Sequence, residues 1–221
     1  MNDFIPALRF RWLTRFYDPL VAALLREEQF KQRLVEQAGL KPSHHVLDLG
    51  CGTATLTIML KRARTEANVV GLDGDPEVLA IARKKVAAAG VEVELYEGMV
   101  CAPLFAPRSF DRVVSSLVFH HLTTEDKSRT FRKIRELLKP GGELHIADWG
   151  QAQNALMRIA FLGVQLLDGF QTTSDNVHGC LISLMQEAGF TSVAETHHAM
   201  TPFGTLSLYR AVVSAERRGE V

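Results

Sequence analysis

The sequence predicts an α/β fold: a doubly wound, mostly parallel sheet with helices on both faces. Three observations carry this. Between residues 45 and 150, short apolar runs alternate with longer amphipathic ones, the rhythm of parallel βαβ units. The first strand-like run, Val46–Leu49, leads straight into Gly50-Cys51-Gly52 and a helix-permissive segment, the way such folds bring main chain close to a ligand. After residue 150 the rhythm changes to helices and a terminal hairpin.

In chain order, residues 4–40 read as amphipathic helices. Phe4, Leu8, Trp12, Leu13, Phe16 and Tyr17 recur at near-helical spacing, with Arg9, Arg11 and Arg15 between them. Pro19 interrupts, and a second helix over about 20–38 ends at Gly39. The alternating core then runs strand 46–49, helix 54–64, strand 69–72, helix 76–89 ending at Gly90, strand 91–96, strand 110–116, helix 124–138, the turn Pro140-Gly141-Gly142, and strand 143–147. An apolar helical segment, 154–167, carries Met157, Phe161 and Leu162, and a further helix spans 175–188 up to Gly189. Two strands close the pattern, about 192–199 and 205–213, making seven in all. The tail 216–221 reads as frayed.

Composition bounds the function. At 221 residues the chain fits a single domain, 1–221. The formal net charge is zero, so no global basic field draws it to nucleic acid. Cys51, Cys101 and Cys180 are odd in number and widely spaced, which excludes a disulfide framework and a zinc knuckle. They read as reduced thiols of a cytoplasmic protein, and no secretory signal or membrane span is visible. His178, His197 and His198 lack ligand spacing, so no metal site is expected.

The glycine turn narrows the ligand. A dinucleotide fingerprint wants a third glycine where Thr55 stands. What is present is Asp48-x-Gly50-x-Gly52. Asp73 closes the second strand, where an acid can accept two ribose hydroxyls. Helix capping does not require it, because Asp75 directly precedes Pro76 and is the better N-cap.

Asp48-x-Gly-x-Gly, Asp73, Ser109-Phe110-Asp111, His120-His121-Leu122 and Lys139-Pro140-Gly141-Gly142 together resemble the class I S-adenosylmethionine (SAM)-dependent methyltransferases of small molecules, the ubiquinone/menaquinone-biosynthesis type above all. The resemblance covers about residues 45–150. It implies a Rossmann-like seven-stranded sheet with an antiparallel C-terminal edge strand, N-terminal helices (1–40) as a lid, a SAM-binding core (45–150), and a helical insertion (151–175) covering the substrate. SAM would be held by Asp48, Gly50, Cys51, Gly52, Asp73, Gly74, Met99, Val100, Ser116 and Tyr17, leaving as S-adenosylhomocysteine (SAH). Two positions depart from the family: Ala54 replaces a third glycine, and Met99 replaces the aspartate that usually takes the adenine amino group. Met99 can cover the ring as an apolar contact.

His120 and His121 follow the fourth strand, where the family's transferred methyl faces the acceptor. Either is suited to general-base work, and nothing in the sequence chooses between them. Trp12, Phe16, Met157, Phe161 and Phe170 either line an apolar acceptor pocket or build core. The expected function is methyl transfer to a small, largely apolar acceptor by in-line displacement. The rival is a SAM-binding partner or sensor that no longer methylates. The arginine-bearing aromatic N-terminal helix also suits a membrane surface, although its acids favour a docked lid. Acceptor identity and oligomeric state are not written in the sequence.

Overall fold

The computed structural model describes residues 27–168 and 170–215. Expectations for Trp12, Phe16, Tyr17 and the tail fall outside the described residues. So does the side chain of Phe170.

The described chain builds a seven-stranded sheet in the order β3-β2-β1-β4-β5-β7-β6. Strands β1 (His45–Leu49), β2 (Asn68–Asp73), β3 (Glu94–Glu97), β4 (Phe110–Ser116) and β5 (Leu138–Trp149) are parallel. The chain leaves β1 toward β2 and β3, then returns to place β4 on the other side of β1. This topological switch opens a crevice above the carboxyl ends of β1 and β4. The C-terminal hairpin completes the edge: β7 (Gly204–Val212) runs antiparallel to both β5 and β6 (Thr191–Thr201). β7 lies inside the pair and β6 forms the rim.

Alternation along the central strand assigns its side chains to two layers. Val46 joins the core cluster that includes helices α1 (Glu27–Ala38) and α2 (Thr55–Ala63). Leu47 and Leu49 join the opposite cluster, with Phe131 and Ile134 of α4 (Thr124–Leu137) and Leu184 and Met185 of α7 (Leu181–Glu187). Burial on both faces explains why β1 reads as a continuous apolar run. Asp48 shares Val46's face, so its carboxylate enters the α2 layer and accepts from Thr57 Oγ1 at 2.6 Å.

Local signals set the helix ends. Asp75 caps α3 (Pro76–Ala89), accepting from the N–H groups of Glu77 and Val78, and Gly90 ends it in a left-handed conformation. Strand β3 is shorter than expected: Val91 and Val93 pack against the α2–α3 layer before pairing with β2 begins at Glu94. Strand β5 is longer, because Leu138 already pairs with Phe110 and the intervening Lys139–Gly142 bulges out before Glu143 meets Arg112.

The expected helix 175–188 is two helices. After α5 (Ala155–Asp168), α6 (Phe170–Val177) stops at Gly179 with φ +72°. There Cys180 N–H donates to Asp175 O and Gly179 N–H to Asn176 O, the paired bonds of a Schellman stop. The chain turns before α7 begins.

Candidate active site

The glycine turn is built by backbone demands. Gly50 has φ +74° and Gly52 φ +54°. A Cβ on Gly50 would lie 2.4 Å from Val118 Cγ2, so this glycine also lets the β1 and β4 ends approach. The N–H groups of Gly50 and Cys51 both donate to Leu72 O, tying the turn to β2. Ala54 adopts φ +63° and is fully buried, so it reproduces a glycine's conformation at the cost of strain. Cys51 fills the space beside Gly71. Burial, with Asp48 and Asp73 nearby, pushes its thiol far above the usual range, which leaves it inert.

Asp73 holds the turn from the next strand. Its Oδ2 accepts from Gly52 N–H at 2.8 Å, and its Oδ1 from Asp75 N–H at 3.0 Å. The carboxylate is therefore already engaged, and a ligand would use its remaining lone pairs. Asp48 is buried, and burial raises its carboxyl to about 6 against the opposing Thr57 hydrogen bond. Gly74 is partly exposed beyond β2, and Met99 and Val100 are half-buried beyond β3. Val100 packs against the α4-side cluster beside Phe105 and Val118.

The chain leaves β4 by a strained route. Ser115 Oγ donates to Leu49 O, and Ser116 Oγ is buried with no partner among the described residues. Leu117 takes φ +57°, a conformation that leucine holds only where its surroundings enforce it. Here the enforcement comes from Asp148 at the end of β5. Its Oδ2 accepts from Val118 N–H at 3.1 Å and Phe119 N–H at 2.7 Å. Phe119 stacks on Phe131 with ring centroids 4.6 Å apart, fixing the 3₁₀ turn Phe119–His121 to α4.

His120 Nδ1 lies 2.7 Å from Asp148 Oδ1, and both residues are buried. The same oxygen accepts from Trp149 N–H at 2.7 Å and from Asn176 Nδ2 at 3.4 Å. Burial works against the charge on Asp148, but His120 and these hydrogen bonds outweigh it and keep the carboxyl below its ordinary range. An ionised carboxylate only accepts. When His120 is neutral, its hydrogen therefore sits on Nδ1 and its lone pair on Nε2. The His121 ring packs against that of His120, with centroids 3.9 Å apart and planes tilted by 43°. Burial, aided by His120 and opposed by Asp148, pushes it down to about 3, so it stays neutral at physiological pH.

The structure thus brings Asp48, Gly50, Cys51, Gly52 and Asp73 together on one side, and Ser116, His120 and His121 on the other. Asp148 and Asn176 were not singled out from sequence. Asp148 carries a signal of the same kind as Asp48 and Asp73, an acid at a strand's carboxyl end. Asn176 carries none. Met157 and Phe161 are buried, and Phe161 packs edge-on to Trp149 within the core. Buried Gln165 of α5 accepts at Oε1 from Arg158 Nη1 and donates from Nε2 to buried Thr173 Oγ1 of α6. Among the described residues no helix is long and apolar enough to cross a membrane.

Comparison with known proteins gives the family. Residues 46–142 match a family model described as a methyltransferase domain. An uncharacterized methyltransferase of Synechocystis sp. is 31% identical over 78% of this chain and 79% of its own length. A demethylmenaquinone methyltransferase of Thermus thermophilus is 35% identical over 55% of this chain, which spans 54% of that relative. The fold matches a SAM complex of phosphoethanolamine N-methyltransferase 2 from Haemonchus contortus, with TM-score 0.67 and 17% identity over 84% of this chain and 52% of that one. The chain belongs to the class I SAM-dependent methyltransferases. Within that class it resembles the quinone-biosynthesis enzymes.

Proposed function

We propose that this enzyme methylates a small, largely apolar acceptor that carries an ionisable hydroxyl, with His120 as general base. The observation behind this choice is the Asp148–His120 contact, which fixes the tautomer that presents Nε2 as a base. His121, pushed down to about 3, is the weaker base and packs against its neighbour.

The residues present fit SAM. Gly52 leaves open space that a Cβ would enter, Ser116 Oγ is a buried hydroxyl with no partner among the described residues, and Asp48 and Asp73 offer carboxylates on the other side. Asp48 would hold the charged amino-acid end, Asp73 the ribose, and Met99 and Val100 the adenine, with Gly52 and Gly74 shaping the backbone between them. When bound, SAM supplies a methyl group on a positively charged sulfur. His120 Nε2 takes the hydroxyl proton, and Asp148 stabilises the imidazolium so formed. The ionised oxygen, or a ring carbon activated by it, is then the nucleophile. Helices α5 and α6 exclude water from this step. The whole chain acts as one domain, with 151–175 as the acceptor cover.

Titration of SAM and SAH by calorimetry, with Asp73→Ala alongside, tests the cofactor half. SAH release on a panel of hydroxylated acceptors tests the other. Saturable binding that Asp73→Ala weakens at least tenfold supports the reading. Absence of SAM binding overturns it. Tight binding without turnover on any oxygen, nitrogen, sulfur or carbon acceptor points instead to a SAM-binding module.

A further inference from the structure

We infer that Asn176 reads a second hydrogen-bond donor on the acceptor, beside the hydroxyl that His120 ionises. This rests on the methyl-transfer reading above and goes beyond it by specifying the acceptor's chemistry.

Asn176 is fully buried on α6, and its orientation is determined. Nδ2 donates to Trp149 O at 2.8 Å and reaches Asp148 Oδ1 at 3.4 Å. Both of those atoms are acceptors, so the amide cannot be flipped without opposing oxygen to oxygen. The carbonyl Oδ1 is thereby turned away from them, and it has no partner among the described residues. A buried acceptor left unpaired is destabilising, so the position favours a ligand that donates.

Location identifies that ligand. Asn176 Nδ2 and His120 Nδ1 converge on a single oxygen of Asp148, at the carboxyl end of β5 beside the β4 exit. One carboxylate thus orients both the base and the amide. The amide is also held rigidly. Its neighbour Asp175 accepts from Thr124 Oγ1 at 2.8 Å and from buried Lys127 Nζ at 3.0 Å, locking α6 to α4. The Schellman stop at Gly179 fixes the other side of the residue. An amide and a general base that share one carboxylate oxygen suit a molecule with two donor groups: one hydroxyl loses its proton to His120 Nε2, and a second hydroxyl or N–H donates to Asn176 Oδ1.

The test uses the full-length protein loaded with SAH and compares binding of 1-naphthol, 1,2- and 1,4-dihydroxynaphthalene, and the matching 2- and 4-methoxy-1-naphthols by calorimetry under anaerobic conditions. The methoxy probes keep the first hydroxyl but cannot donate at the second position. Expected is at least tenfold tighter binding of one diol than of its methoxy partner. Asn176→Ala should bring the pair within about twofold. Equal binding of diol and methoxy probe by the unmodified protein overturns the inference without need of a variant. So does a preference that survives Asn176→Ala, or equal weakening of all probes, which would make Asn176 a structural residue only. Binding of SAH with no probe bound also overturns it, and methyl transfer to other acceptors then stands. Failure to bind SAH overturns the underlying reading instead.

Discussion

The two sides of the crevice are built on different principles. On the β1–β2 side, backbone does most of the holding: Gly50, Cys51 and Gly52 donate to Leu72 O and Asp73, and one glycine is demanded by a close approach. On the β4–β5 side, one buried carboxylate holds everything. Asp148 gathers two main-chain N–H groups of the β4 exit, its own neighbour's N–H, His120 and Asn176. A site made by backbone geometry has a rigid residue order. A site made by side-chain convergence can be assembled from any elements that meet in space. The first therefore suits a constant ligand, and the second an acceptor that differs between relatives.

The sharpest way to break this contrast is Asp148→Asn. The amide would turn an N–H₂ toward donors and free the His120 tautomer, so turnover should fall by about 10³-fold or more, with SAM affinity within a few-fold. Single-turnover kinetics beside calorimetry separates the two, and an equal loss in both would merge the halves. Gly50→Ala does the opposite. Its Cβ would strike Val118, and its left-handed backbone disfavours any side chain, so SAM affinity should drop by on the order of 100-fold.

Asp48→Asn exposes a cost carried by the cofactor side. The folded carboxyl titrates near 6 against an ordinary 3.8, so the folded state binds more protons between those values and loses stability as pH rises through them. The uncharged variant should melt higher at pH 8, by up to about 3 kcal/mol, and this advantage should shrink by pH 5. It should also bind SAM less tightly, while the unmodified protein's affinity falls as pH drops below about 6. A variant less stable at pH 8 would contradict the assignment. The smallest effect belongs to Ala54→Gly. Relief of the left-handed strain and loss of a buried methyl nearly offset, so thermal stability should shift by no more than about 1 kcal/mol, with cofactor binding retained.

Legibility in the sequence follows the same division. Asp75 before Pro76, Gly90 after α3 and the acid at each of the first two strand ends act on near neighbours, so their meaning survives in one dimension. Asp148 carried the same mark but lay just past the expected end of β5, which pairs farther than its apolar run because β7 continues the ladder to Trp149. Gly179 stood inside an otherwise helical pattern, and such a glycine can end a helix. The choice between His120 and His121 could not be made from sequence, because it depends on which ring meets a carboxylate from another strand.

The position of β7 has a consequence for how the molecule is made. Strands β1 to β3 pair as successive βαβ units, β4 returns to pair with β1 and β5 follows it through α4, so each can dock soon after it emerges from the ribosome. Among the described strands β6 pairs only with β7, and β7 also closes the open side of β5. Until Gly204–Val212 is synthesised, β5 presents a bare ladder next to its apolar face, an invitation to pair with another nascent chain. The burial of Leu206, Leu208 and Ala211 then makes the last step the committing one. Translation pauses or truncations between β6 and β7 should therefore aggregate the protein far more readily than lesions in its cofactor loops.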